Sequence, residues 1–448
     1  MYVTRPLSMY RKSPSTLSIE PPDASYSGYL VLTDEEADSQ DTLCWASCGL
    51  CKRKRVKKLP FPQDQILRVI YTSEYNETYA TKVWFLPVPG KPLSSNCYFV
   101  IRAKGRHKGK AYTSSREGDI ITCCFRDILR DKKPKALNLR NVYQQFKIHR
   151  HQGGGFFAKS VAPDGVPPKF LRRKGWKVRC STSYRSRLGE ALGTDTSRRA
   201  QLPESNFHIF NVRSPSVAVG RWYCPFGFVI ERGGVKRQMG KTILYSMTLE
   251  QWWEEIYSCR NVNNRESNVV TVNEELQREV ALVRGIEAVK DDRRGRGGFT
   301  WFKVYNPNGR RGVVSVGLSF AIMENMKWVL EEGGWVSGEE RDVKVERVEE
   351  FRGENVWSRF GCYVLVESFV LRRMDGSLVL KCAIKFARSE GLIPAPEGNH
   401  AIAATIREAL KCRDRRSKGY SNCTVWTWPE VMSFSEEKIQ ADIPQVVA

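Results

Sequence analysis

The sequence predicts an α+β protein with two sheet-containing halves, each built from antiparallel hairpins and short helices. Three observations carry that expectation. "ILRVIYT", "KVWFLPV" and "CYFVIRA" are short β-branched and aromatic runs broken by Pro and Gly, which is strand chemistry. "GCYVLVESFVLRR" turns at Met374-Asp375-Gly376 into "SLVLKCAIKF", a hairpin pattern. Helical patterns follow the strand runs in both halves.

In order, residues 1–58 read as an irregular arm with one strand, Tyr29 to Thr33, and a Cys/basic tract. Residues 59–260 form the first half. There "REGDIITCCFRDI" continues the strand chemistry, "LNLRNVYQQF" fits a short helix, and residues 153–205 are loop-rich. "GRWYCPFGFVIER" then leads through Gly233-Gly234 into "KTILYSM" as a hairpin, and Thr248 with Gln251 supplies a capping box for a helix "LEQWWEEIYSC". Residues 261–300 read as a connector, in which "ELQREVALVRGIEAV" fits a helix or two strands equally. The second half, 301–386, holds the strand "GVVSVGLSF", the helix "AIMENMKWVLEE" with Gly333-Gly334 as its C-cap, and the hairpin. Residues 387–448 form a basic extension in which Asn399 can cap a last helix bearing Ile402, Ile406 and Leu410. Gly220, Trp222, Phe228, Val229 and Arg232 align at one offset with Gly361, Tyr363, Phe369, Val370 and Arg373. That fits a duplicated unit or two hairpins made by the same rules.

Charge is the informative part of the composition. Lys and Arg total 72 against 49 acids, a net +23, which favours nucleic acid, acidic phospholipid or an acidic protein as partner. No apolar run approaches the roughly 18 residues of a membrane span, and the N-terminus lacks a secretory h-region. Thirteen scattered cysteines then read as reduced thiols of an intracellular protein, in nucleus or cytoplasm, rather than as a disulfide framework.

Motif by motif, catalysis finds little footing. "GGVKRQMGKT" ends like a phosphate-binding loop, but Val235 stands where the first glycine belongs and a strand pattern follows where a helix is required. There is no G-x-S-x-G and no H-E-x-x-H; His149 and His151 fall in a loop pattern, and His107 lies inside the cationic "KGRHKGK". Cys44, Cys48 and Cys51 would hold zinc only if the fold brings Cys123-Cys124 to complete four ligands. Cys123, Cys124, Cys224 and Cys382 read as small core hydrophobes. No catalytic, metal or cofactor residue is assigned.

Two tracts remain as candidates. Lys52, Arg53, Lys54, Arg55, Lys57 and Lys58 fit a nuclear import signal. With acylated Cys48 or Cys51 they fit a peripheral membrane anchor, and as a bare charge run they fit a solvated loop. Lys169, Arg172, Arg173, Lys174, Lys177 and Arg179 form an acid-free zone interleaved with Phe170 and Trp176, a pattern suited to polyanions if these cations share one face.

"MYVTRPLSMYR", "SVAPDGVPPKFLRRKGW", "VGRWYCPFGFV", "MTLEQWWEEIY" and "GCYVLVESFVLRRMDGSLVL" together resemble a plant-specific family known as domain of unknown function 1262, over Met1 to about Phe386. The resemblance implies a plant intracellular protein and brings no catalytic residue. From Ala387 onward the chain looks unlike that family's ending. The expectation is a non-enzymatic binding or adaptor protein; the alternatives are an enzyme with a cysteine- or histidine-containing pocket and a membrane-peripheral protein.

Overall fold

The computed structural model describes residues 1–22, 26–37, 55–72, 76–123, 126–185, 188–203, 212–261, 269–295, 298–304, 314–334, 342–350 and 359–392. It is mostly β, which corrects the α+β expectation: two large sheets dominate, and the longest helix, Phe320–Glu332, has 13 residues. Among these residues no helix is long and apolar enough to cross a membrane.

The decisive departure is Leu244–Arg260, where a capped helix was expected and a 17-residue strand stands. Thr248 faces Arg221 on one side and Val370 on the other, so both edges of the strand are paired. Fifteen registered partners on Arg359–Arg373 outweigh a local capping signal that offers two hydrogen bonds. "ELQREVALVRGIEAV" likewise resolves into strands, Glu279–Val283 and Ile286–Gly295 among them. Helix Phe320–Glu332 forms where expected; Ala321, Ile322, Met326 and Val329 bury one face, and Gly334 at φ 88° ends it. The Arg359–Arg373 and Leu378–Leu392 hairpin also forms, with Gly376 at φ 84° in its turn.

The two aligned hairpins, which fit a duplicated unit or two hairpins made by the same rules, agree in part. Gly220 and Gly361 are equivalent, each lying beneath an aromatic ring two residues on, Trp222 and Tyr363. Beyond them the match fails: Phe369 is mid-strand, whereas Phe228 lies past the end of Val217–Pro225 and leads into the short strand Val229–Glu231.

Among the described residues the larger sheet has 12 strands, 11 on one path and Gly193–Thr194 paired beside Val217–Pro225. Its path runs from Val229–Glu231 through Ser315–Ser319, Phe299–Lys303, Ile286–Gly295, Glu279–Val283, Leu378–Leu392, Arg359–Arg373 and Leu244–Arg260 to Val217–Pro225, Tyr2–Pro6 and Gly28–Leu32. Val229–Glu231 and Val217–Pro225 are thus eight places apart in the sheet, about 38 Å if it were flat. Yet only residues 226–228 join them, a reach of about 14 Å. The sheet therefore curls until its first strand returns to the side of its middle strands. Side chains seal the closure: Glu231 accepts hydrogen bonds from the Tyr245 hydroxyl at 2.7 Å and from Arg373 Nε at 3.0 Å.

The smaller sheet has seven strands, in the order Phe156–Ser160, Gln145–Arg150, Cys97–Arg102, Thr78–Pro87, Gln65–Thr72, Lys177–Arg185 and Arg55–Val56. Its middle strands are buried on both faces. Trp84, Leu86, Phe99 and Ile101 join the core of the larger sheet, against Tyr2, Trp222 and Phe226. Val83, Phe85, Tyr98 and Val100 face the opposite way, into a second core with Phe61, Phe156 and Trp176.

Candidate functional site

The basic tracts regroup in three dimensions. Lys177–Arg185 runs between Gln65–Thr72 and Arg55–Val56, and its register sets Arg179 directly opposite Arg68 on one side and Arg55 on the other. Arg68 is in turn opposite Lys82. Directly opposed residues project from the same face. Val178, Val56 and Val69 point into the second core, so Arg55, Arg179, Arg68 and Lys82 form a transverse cationic row on the other face. The row sits where the cover of the larger sheet gives out: along the two strands burial falls from Ile66 and Trp84, through half-buried Arg68 and Lys82, to exposed Ala80. Among the described residues Arg55, Arg68 and Arg179 have no carboxylate partner, and Arg68 Nε is buried with no hydrogen bond.

Four like charges in register are unfavourable for folding, since directly opposed like charges destabilise a sheet. For Arg55, Arg179 and Arg68 the arrangement suits a site in which the compensating anion is a bound partner's.

The other candidates scatter. Lys169 and Arg172 belong to the short helix Lys169–Arg172, which packs Phe170 and Leu171 into the second core, on the face opposite the arginine row. Arg173 donates to the Thr72 carbonyl at 2.6 Å, and Lys174 is exposed. Lys177 is exposed on the row's face, two residues before Arg179. Of the first tract, Arg55 pairs into the sheet edge, Lys57 and Lys58 are exposed, and Lys52, Arg53, Lys54, Cys48 and Cys51 lie outside the described residues. Sequence reasoning missed Arg68 and Lys82, single cations inside apolar strands. Only the register joins them to the tracts.

Two clefts lie apart from the residues of the row. The larger, about 810 Å³, lies between Thr4, Arg5, Asp34, Asp64 and Glu190. Two of its acids are engaged locally: Asp34 accepts from the Ser8 and Ala37 amides at 2.9 and 2.7 Å, and Asp64 from the Thr33 hydroxyl at 2.8 Å. The smaller, about 510 Å³, opens beside Glu231 and is lined by Arg232, Arg237, Lys241, Arg284 and Arg373. Neither holds a cysteine or histidine. Cys224 is fully buried, and burial pushes its thiol up to about 12. His149 belongs to the strand Gln145–Arg150, not to a loop, and stacks on Phe157 with ring centroids 5.0 Å apart.

Comparison with known proteins adds a family over part of the chain. Residues 23–125 match the family described as "Protein of unknown function (DUF1262)". The matched stretch carries Arg55, Arg68 and Lys82; Arg179 lies beyond it. A second similarity is local: 58% identity over 36 residues to tryptophan synthase beta chain 2 of Aquifex aeolicus (strain VF5), 8% of each chain, and 49% over 37 residues to that of Methanosarcina mazei. The chain therefore spans less than a tenth of those relatives' length. So short a stretch falls below the roughly 40 residues under which a chain seldom folds alone. Among solved structures, the crystal structure of Cry35Ab1 aligns over 74% of this chain and 90% of its own, at 11% identity and a TM-score of 0.42. At that score the likeness carries no argument here.

Proposed function

We propose that the protein is a non-enzymatic binding or adaptor protein, of the plant intracellular family its phrases resemble, and that it holds a polyanionic partner on the rim of its smaller sheet. The row Arg55, Arg179, Arg68 and Lys82 carries the reading. Strands lie about 4.8 Å apart, so the row spans about 14 Å, enough to follow several charges of an extended polyanion. Guanidinium forks suit phosphate oxygens. No aromatic ring belongs to the row, so recognition would rest on charge rather than on base stacking.

The test is fluorescence anisotropy of labelled single-stranded RNA bound at increasing salt. Removing two phosphate contacts with Arg68→Ala and Arg179→Ala should flatten the log K against log[salt] slope by about 1.4, with Lys159→Ala on a distant strand as control. An unchanged slope in the double variant would sink the reading. An acidic protein as partner would show instead as RNA-free capture lost in the same double variant.

A further inference from the structure

The cleft at the closure of the larger sheet has a chemistry of its own. Five segments converge on it: Arg232 and Gly233 after Val229–Glu231, Arg237 and Lys241 on the helix Val235–Lys241, Arg284, Ser315, and Arg373. Five cationic side chains thus face one carboxylate, Glu231, and that carboxylate is already engaged. Arg373 grips it through Nε and Nη2, the Tyr245 hydroxyl donates to it, and Arg284 stands 3.5 Å away. Buried Gln238 fixes the floor, donating to the Val229 carbonyl at 2.6 Å and to the Tyr245 hydroxyl at 2.7 Å. The cations are therefore set on a rigid polar base.

Part of this positive charge is uncompensated among the described residues. Arg237 and Lys241 are four residues apart on one helix face, a repulsive spacing, and both are exposed without an ion-pair partner among the described residues. Lys108, from the loop "KGRHKGK", adds to the rim, its Nζ 3.7 Å from where a β-carbon on Gly240 would stand.

Arg284 points the same way. It occupies the first position of a two-residue turn between Glu279–Val283 and Ile286–Gly295, at φ 53°, followed by Gly285 at φ 85°. That left-handed position favours Asn, Asp or Gly. An arginine there sets a long cation over the cleft at a cost in backbone strain.

We infer that this cleft binds a small, multiply phosphorylated polyol through Arg237, Lys241 and Arg284. The volume, about 510 Å³, is that of a small-molecule site rather than a polymer groove. The surplus of guanidinium groups calls for phosphate oxygens. No aromatic side chain lines the cleft, so nothing is offered for a nucleobase to stack on. The ligand chemistry is shared by a free polyol phosphate and a phosphorylated inositol headgroup on a lipid.

Calorimetric titration of the full chain with inositol hexakisphosphate tests this, beside vesicles of phosphatidylcholine carrying phosphatidylinositol bisphosphate. Saturable one-to-one binding is expected, weakened about tenfold or more in Arg237→Ser with Lys241→Ser. Lys236→Ser, on the same helix but outside the cleft, should leave it within about twofold of the parent. Vesicle binding lost in the same double variant would make the source a lipid headgroup, and binding of the free probe alone would make it a soluble polyol phosphate. Equal losses in the double variant and Lys236→Ser, or no saturable binding, would overturn the inference. Arg68→Ala with Arg179→Ala should leave this titration unchanged, so the two sites fail or stand separately.

Discussion

Arg373 and Glu231, 142 residues apart in sequence, share two hydrogen bonds at the point where the larger sheet closes on itself. Both side chains are largely buried. The pair does in the fold what a continuous ladder does elsewhere, joining a first strand to middle strands it does not pair with. Removing one partner leaves the other charged and desolvated. Arg373→Met should therefore lower stability by about 3–5 kcal/mol, read as a fall in calorimetric Tm. A variant as stable as the parent would show that backbone pairing alone closes the sheet.

The same carboxylate sets a pH dependence. Burial alone would raise the Glu231 carboxyl, but hydrogen bonds from Arg373 and Tyr245 and the charges of Arg373 and Arg284 outweigh it and hold it below the ordinary 4.5. A carboxyl depressed in the folded state contributes stability that is fully present above its unfolded value and is lost as pH falls through the folded value. Tm should drop on acidification below about pH 4.5 more steeply in the parent than in Glu231→Gln.

A second buried pair predicts a different failure. Arg199 donates from Nε to Glu367 Oε1 at 2.7 Å and from Nη1 to the Val329 carbonyl at 2.7 Å, tying the sheet to the end of helix Phe320–Glu332. A β-carbon on Gly333 would stand 2.0 Å from Arg199 Nη2. The guanidinium is held on three sides and cannot retreat without breaking the pair. Gly333→Ala should cost about 1–3 kcal/mol despite lying at a helix end, measured by chemical denaturation.

The arginine row should behave in the opposite sense. Without a polyanion, Arg179→Thr removes a cation from between two others and should raise stability by about 0.2–1 kcal/mol. With saturating single-stranded RNA the order should reverse, because the parent alone gains the bound anion's stabilisation. Thermal scans with and without RNA make the comparison.

Thiol labelling checks the core reading of the cysteines. Cys224 and Cys362 are fully buried, and burial keeps the Cys224 thiol protonated. Neither should react with iodoacetamide at neutral pH until the chain unfolds, as read by peptide mass spectrometry.

Much of the local structure was legible because local chemistry decides it. "ILRVIYT", "KVWFLPV" and "CYFVIRA" form strands within Gln65–Thr72, Thr78–Pro87 and Cys97–Arg102, and Gly333-Gly334 ends its helix as expected. Leu244–Arg260 was not legible, since Trp252, Trp253, Glu254 and Glu255 suit either state and only two distant partner strands decide between them. The curl of the larger sheet has no local signal at all. The arginine row fails for the same reason: Arg55, Arg68, Lys82 and Arg179 come together only through the register of four strands.

That the middle strands of the smaller sheet are buried on both faces has a consequence for how they find their alignment. In a half-wetted sheet a slip of one residue throws greasy side chains into water, and the penalty enforces the correct match. Over residues 83–86, sliding Thr78–Pro87 by one, so that each position takes its N-terminal neighbour's side chain, replaces each buried apolar side chain with another and keeps that stretch equally oily until Lys82 is reached. The discrimination must come from directional bonds. Trp84 supplies one, its indole Nε1 donating to the Gln63 carbonyl at 2.9 Å, and the Tyr98 hydroxyl supplies another by accepting from the Phe61 amide at 3.3 Å. Proofreading of strand alignment in the deepest part of the molecule thus falls to a few polar atoms on its largest aromatic side chains.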